Sequence, residues 1–320
     1  MMRSLSRRAV LGAAGAALVG RPALAQARPV TVVVPYSPGS PPDIVARLMA
    51  EGFARRTGQP HVVDNRFGAS GNIGTAAVAR AAPDGATLLV QTNTLAINPS
   101  LFRSLPYDPV TSLVAVSQIA TVGFGLLLND AGGADVKEFV ARAKARPGAL
   151  NYASPGIGTP HHLAMELFRQ QAGIEVAHVP YRGLSGAVTD LLAGQVAAMF
   201  VSIGAAQGLA GDRRARLVAV ASPQRQAAVP DVPTFAEAGF PPVDMSGWYG
   251  IFAPAGTPPE IVARLNATAN EIIAAPETVA ALAAQGMTPV GGAPARMRDV
   301  LVEEVPRWAA VIRNAGITPE

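Results

Sequence analysis

The stretch "YSPGSPPDIVARLM", residues 36–49, returns in altered form as "YASPGIGTPHHLAMELF", residues 152–168. Each runs from a strand-like segment through Ser-Pro-Gly to a serine or threonine, then proline, then a helical pattern. In the first, Ser40 reads as an N-cap, Pro41 as the first helical residue and Asp43 as the acid of a capping-box variant. In the second, Thr159 is the N-cap, Pro160 the first helical residue and His162 lies at the third helical position. Gly39, Gly156 and Gly158 let the backbone turn tightly and approach a ligand. Ligands of open α/β sheets bind beyond the carboxyl ends of the strands, and a helix N-terminus favours an anion. Two such loops in one chain predict a small anion held between two lobes.

The rest of the chain fits that reading. Short, almost continuously apolar runs, "VTVVVP", "HVVDN" and "ATLLVQT", alternate with helical patterns from residue 30 onward. The rhythm restarts with "LNYAS", "VAHVPY", "VAAMFV" and "ARLVAVAS". Strands alternating with helices predict parallel, doubly wound sheets covered on both faces. Two sets predict two α/β lobes joined by two crossing strands. "VAVSQIATVGFGLLLN", with Gly123 and Gly125 near its middle, reads as the outward crossing, the glycines permitting a bend. "MSGWYGIFAPAGTP" reads as the return, with Trp248 and Tyr249 packing in the core or at the hinge. The predicted boundaries are a first lobe of 28–123 and 248–320 and a second of 124–247.

Residues 1–27 have a basic start, an apolar core and an Ala-x-Ala end, as an export signal does. Cleavage is expected after Ala25 or Ala27, and Ser6-Arg7-Arg8 with Leu11 fits the twin-arginine type. The apolar run is shorter than the roughly 20 residues that span a bilayer. Arg3, Arg7, Arg8 and Arg21 lie in this leader, so the formal charge of +4 falls to about zero without it. No basic run interleaved with aromatics remains, which excludes a nucleic-acid footprint. The 320 residues contain no cysteine, so disulfides, thiolate metal sites and cysteine nucleophiles are excluded.

Several motifs carry no chemistry on inspection. His161, His162 and Glu166 lack an identifiable third metal ligand. Gly156-x-Gly158 lacks the third glycine of a dinucleotide fingerprint, and "GASGN" and "RGLSGA" are not Gly-x-Ser-x-Gly elbows. No acid/base or nucleophile pair emerges, and no cofactor, metal or enzymatic activity is expected. Thr92 and Asn93 end a first-lobe strand and are candidate polar contacts. Arg182, after a second-lobe strand, is a candidate charged guard of the cleft.

From about Pro29 to Ile317 the chain resembles the substrate-binding proteins of tripartite tricarboxylate transporters, the Bug or TctC family. The stretches that carry the resemblance are "VVVPYSPGSPPDIVARLMAE", "VDNRFGASGNIGTAAVARAAPDGATLL", "NPSLFRSLPYDPVTSL", "LNYASPGIGTPHHLAMELF", "VAHVPYRGLSGAVTDLLAGQV", "VPDVPTFAEAGF" and "WYGIFAPAGTPPEIVARLN". The resemblance implies a two-lobed periplasmic binding protein of the type II kind, which closes on a small organic carboxylate. It implies as partner a membrane transporter with one large and one small subunit. The binding protein itself is expected to be a monomer. It places ligand contacts at Tyr36, Ser37, Gly39 and Ser40, and at Ser154, Gly156, Gly158, Thr159 and His162, largely through backbone N–H groups and water. Two positions depart from the family pattern. Gly-Gly-x-x-Asp is here Gly39-Ser40-Pro41-Pro42-Asp43, whose prolines delete two N–H donors. Where many relatives carry aspartate after "QVAAMF", this chain has Val201 and then Ser202, itself a candidate contact. A membrane-docked ligand sensor is the alternative to a transport receptor.

Overall fold

The computed structural model describes residues 28–209 and 211–319. The export-signal reading of 1–27 lies outside the described residues.

The chain opens with strand β1 (Val30–Val34), whose Val32, Val33 and Val34 are buried. Each such burial contributes roughly 1.5–3 kcal/mol. Helix α1 (Pro41–Thr57) follows and packs Val45, Ala46, Met49 and Phe53 inward, ending at Gly58 with φ +68°. Only glycine takes that left-handed cap without strain. Strand β2 (His61–Asn65), helix α2 (Asn72–Ala79), β3 (Thr87–Thr92) and α3 (Thr94–Leu101) continue the alternation. β1 pairs parallel with both β2 and β3.

The long outward strand resolves into two pieces, β4 (Leu113–Val122) and β5 (Phe124–Leu128), broken at Gly123. β4 belongs to a six-stranded sheet and β5 to a five-stranded one, so the chain changes lobe at that residue. Gly125 lies inside β5. A Cβ there would sit 2.6 Å from Leu217 Cδ1 and 2.9 Å from the Ala219 carbonyl. Its service is close strand packing, while Gly123 is the residue between the two strands.

The second lobe holds α4 (Val136–Ala145), β6 (Asn151–Ser154), α5 (Pro160–Ala172), β7 (Ala177–Pro180), α6 (Leu184–Leu192), β8 (Ala198–Ser202), α7 (Ile203–Gly208) and β9 (Arg216–Val220). The chain returns through β10 (Gly247–Pro254) and ends with α8 (Pro259–Ala274), α9 (Pro276–Ala283), β11 (Met287–Pro289) and α10 (Pro294–Asn314).

The two-lobed α/β reading holds, but the sheets are mixed. In the first lobe the order is β11-β4-β10-β3-β1-β2, with β10 antiparallel to both neighbours. In the second it is β7-β6-β8-β5-β9, with β5 antiparallel to β8 and β9. The reason is directional. β4 leaves the first lobe and β10 enters it beside β4, Gly247 opposite Val122, so the two must run in opposite senses. Periodicity cannot report that sense.

The lobes also touch through segments other than the two crossing strands. Gln170 of α5 donates to the Val311 carbonyl of α10 at 3.3 Å. Gly204 in α7 and Gly286 before β11 meet backbone to backbone, a Cβ on either lying 2.4 Å from the other segment.

Candidate functional site

Both repeated loops lie where a strand feeds a helix, β1 into α1 and β6 into α5. In the first loop Asp43 is the organising group. It is 2% exposed and accepts from Gly39 N–H at 2.8 Å, Arg47 Nε at 2.9 Å and Asn65 Nδ2 at 2.8 Å. Although burial opposes ionisation, these donors win and hold its carboxyl below the usual range. Asn65 Nδ2 also donates to the Tyr36 carbonyl at 3.0 Å, closing the brace.

The expected capping box at Ser40 is not formed. Ser40 Oγ donates to the Ser37 carbonyl at 2.7 Å and makes no cap, while Asp43 reaches the Gly39 N–H and not that of Ser40. The Ser37 carbonyl takes both the Ser40 hydroxyl and, at 3.2 Å, the Ser40 N–H, the two groups the box would use. Thr159 does cap its helix, accepting from His162 N–H at 3.4 Å.

Tyr36 is the hub of the first lobe's polar cluster. Its hydroxyl lies 2.6 Å from Gln91 Oε1, 2.7 Å from Thr92 Oγ1 and 2.6 Å from Thr94 Oγ1. Burial pushes its pKa up to about 12, so it stays a neutral donor and acceptor. Gln91 passes the network on, donating to Thr75 Oγ1 at 2.8 Å.

The second loop is braced by histidines. Ser154 Oγ lies 2.7 Å from His178 Nε2 and donates to the Gly156 carbonyl at 2.9 Å. The His178 ring stacks on His162 with centroids 4.0 Å apart, and Tyr152 stacks on His178 at 4.8 Å. His162 Nδ1 accepts from Gly158 N–H at 3.0 Å. His162 is thus a buried neutral acceptor, its pKa pushed down to about 3 by desolvation first and by His178 second. It shapes the loop from behind and does not face the cleft. The glycine N–H groups of both loops are occupied as well: Gly39 by Asp43, Gly156 by Ser154 Oγ at 3.2 Å and Gly158 by His162.

Between the lobes lies a cavity of about 240 Å³. The first lobe lines it with Tyr36, Ser70, Thr94, Asn98 and Leu101. The second lines it with residues of the loop and the first turn of α5: Pro155, Ile157, Gly158, Thr159, Pro160 and His161. No lining residue carries a charge: burial holds the His161 imidazole neutral, with its pKa pushed down to about 4. A wider concavity of about 730 Å³ is lined by second-lobe residues alone, so it is not an interlobe site.

Of the sequence-predicted contacts, Tyr36, Gly158 and Thr159 line this cavity and Thr92 supports Tyr36. Ser37, Gly39 and Arg182 are exposed and line no part of it, and Ser202 caps α7 by accepting from Ala205 N–H at 3.3 Å. Asn93 is 3% exposed, and its Nδ2 has no partner among the described residues. Sequence reasoning missed Ser70, Thr94, Asn98 and His161. Ala69 and Ser70 hold positive φ of 45° and 52°, a strain of order 1–3 kcal/mol per residue that clusters at functional sites. Asn98 Nδ2 pins the turn by donating to the Ser70 carbonyl at 2.9 Å. The run of small residues in "FGASGN" was the signal available.

Two mixed α/β lobes, two crossing strands and a cavity at paired helix starts define a two-lobed binding protein. The chain belongs to the tripartite tricarboxylate transporter family receptors, whose model matches residues 45–317. Members of this family bind solutes and are not enzymes. The chain is 40% identical to protein BugT of Bordetella pertussis over 91% of its own length and 90% of that protein. The solved structure of Rhodopseudomonas palustris Rpa4515 with adipate is similar at TM-score 0.80 and 34% identity, covering 92% of this chain and 99% of that one. MatC from Rhodopseudomonas palustris with bound malate is similar at TM-score 0.76 and 33% identity, covering 89% and 99%.

Proposed function

We propose that this protein captures a small carboxylate in the interlobe cavity and delivers it to a tripartite-type membrane transporter. The observation that carries the reading is the cavity itself, contacted by both lobes, set at the start of α5 and offering the neutral polar groups of Tyr36, Ser70, Thr94, Asn98 and Thr159 amid an apolar lining. A helix N-terminus and hydroxyl or amide donors stabilise an anion without a buried arginine or lysine. Relatives solved with adipate and with malate support the same ligand class. The family's name supports the transporter partner. The leader-like residues 1–27 and the solved periplasmic relative BugD support action in the periplasm.

Thermal unfolding against a panel of mono-, di- and hydroxycarboxylates tests the reading. A ligand that binds only the native state adds about 2.7 kcal/mol at a hundredfold excess over Kd. Adipate, malate or a close analogue is expected to raise Tm, and Thr94→Val with Asn98→Leu to abolish the rise. A panel that leaves Tm unmoved would remove the carboxylate reading. Uptake of the acid by cells lacking this protein would remove the delivery role.

A further inference from the structure

One residue of the cavity lining carries a buried polar atom that its surroundings leave unanswered. His161 Nδ1 is buried and has no hydrogen-bond partner among the described residues. Its ring lines the cavity and packs edge-on against Phe124, the first residue of β5 after the crossing, at 5.1 Å between centroids. A buried imidazole nitrogen without a partner costs on the order of 1–3 kcal/mol, and such groups call for a reason. Neighbouring His162 shows the contrast, since its Nδ1 is answered by Gly158 N–H.

We propose that His161 is the second lobe's ligand-reading side chain, pairing with the anionic group of the bound acid and taking a proton from solvent as it does so. The inference rests on the reading of this cavity as a carboxylate site. Its chemistry follows from what surrounds the ring. Desolvation is what holds the imidazole neutral, and no ionic partner contributes. Tyr36 shares the cavity and is protonated, with Tyr249 behind it also held well above the ordinary tyrosine range. β5 offers Phe124, and α3 offers Thr94, Asn98 and Leu101, none of which titrates near neutrality. On α5 the residues one turn on are Ala164 and Met165, and Glu166 is engaged by Tyr152 and Arg169. Among the described residues none that lines the cavity is acidic, so an entering carboxylate supplies the negative charge that His161 would meet. An opposite charge within hydrogen-bonding reach raises a histidine pKa, so protonation and binding favour each other.

In the free protein the imidazole is neutral above about pH 4. In the complex its pKa rises, so between the two values each binding event takes up protons and affinity tightens as pH falls. Calorimetry on the full mature protein with adipate and malate, in two buffers of different ionisation enthalpy near pH 6.5, reads the uptake directly. A fractional proton uptake is expected for the native protein. His161→Phe keeps the contact with Phe124 and is expected to weaken binding roughly 10- to 100-fold and abolish uptake. His161→Gln is expected to restore part of the affinity without the uptake. The chain has four histidines, so ring NMR can follow His161 in the native protein even if a variant fails to fold. Ligand binding with no proton uptake and no shift of the His161 ring would overturn the proposal while leaving the carboxylate site standing. Undiminished affinity of His161→Phe would do the same. Failure of the native protein to bind any acid would remove both.

Discussion

Gly158 in the second lobe and Leu101 at the end of α3 in the first lobe are in direct contact. A Cβ on Gly158 would lie 2.3 Å from Leu101 Cδ1. Gly158 also holds φ +73°, which costs other residues of order 1–2 kcal/mol. Gly158→Ala is therefore expected to weaken ligand binding about tenfold or more, because the two lobes can no longer meet across the cavity. Leu101→Ala in the same chain should return part of the loss by removing the clash, though not the backbone strain. Calorimetry on both variants, with circular dichroism to check the fold, measures this. Full affinity in a folded Gly158→Ala protein would take the contact out of the closure.

The Gly204–Gly286 contact is a sterner version of the same relation. Added to Gly204, a Cβ would meet the Gln285 carbonyl at 2.4 Å, and no side chain is present to give way. It lies beside the crossing, where Ile203 N–H donates to the Gly123 carbonyl at 2.9 Å. Gly204→Ala should hold the lobes apart, giving weaker binding and a larger radius of gyration by solution scattering at ligand saturation. Gly208→Ala, in the same helix with open space around it, should change neither. Equal radii for the two variants would show that the contact does not limit closure.

Much of this was legible in the sequence, and the failures have physical causes. The strands announced themselves because residues buried on both faces must be apolar without a break, as in Val32, Val33 and Val34. Strand direction was not legible, since a strand's composition is the same whichever way it runs. At the site, the doubled Ser-Pro-Gly loops pointed to the cleft between the lobes, where Tyr36, Gly158 and Thr159 line the cavity while Ser37, Gly39 and Arg182 do not. His161 and His162 are adjacent and identical in type, and helical geometry alone turns one toward the cavity and the other toward His178. Ser70 and Asn98 come from segments distant in sequence that only the fold brings to the cavity, pinned by the bond from Asn98 to the Ser70 carbonyl. The Ser40 cap failed because the short Ser37 turn competed for its hydroxyl.

A second titration sits where α10 packs on the return strand β10. Glu304 is buried in α10, and its Oε2 accepts from Trp248 Nε1 at 2.8 Å and Trp308 Nε1 at 3.4 Å. Desolvation pushes its pKa up to about 7, against the lowering effect of both indoles and Arg307. The folded state thus binds this proton more tightly than the unfolded chain, whose glutamate titrates near 4.5. Its favourable contribution is complete below about pH 4.5 and is lost as pH rises through 7, a change of about 3 kcal/mol. Native stability from urea titrations should fall across that window, and Glu304→Gln should flatten the fall. Both tryptophans of the chain bond this one carboxyl. Tryptophan emission should therefore titrate near pH 7 in the native protein and not in the variant. An emission flat from pH 5 to about 8 would exclude a titrating Glu304.

The final prediction concerns what the cavity rejects. An α-amino acid brings an ammonium group, which when buried needs an anionic partner or several neutral acceptors. Asp43, the carboxylate nearest the loops in sequence, already serves Gly39, Arg47 and Asn65, and among the described residues no acidic side chain lines the cavity. Val201 and Ser202 stand where many relatives are expected to carry aspartate, and Ser202 is spent on capping α7. The Tyr36 hydroxyl cluster can accept, but its oxygens already bond one another. Malate is therefore expected to bind at least about tenfold more tightly than aspartate, and adipate more tightly than 2-aminoadipate, a difference of about 1.4 kcal/mol or more. Competition calorimetry with these matched pairs decides the matter. Should the amino acids win, the hydroxyls around Tyr36 must be acting as the ammonium's acceptors, and Tyr36→Phe should then reverse the preference.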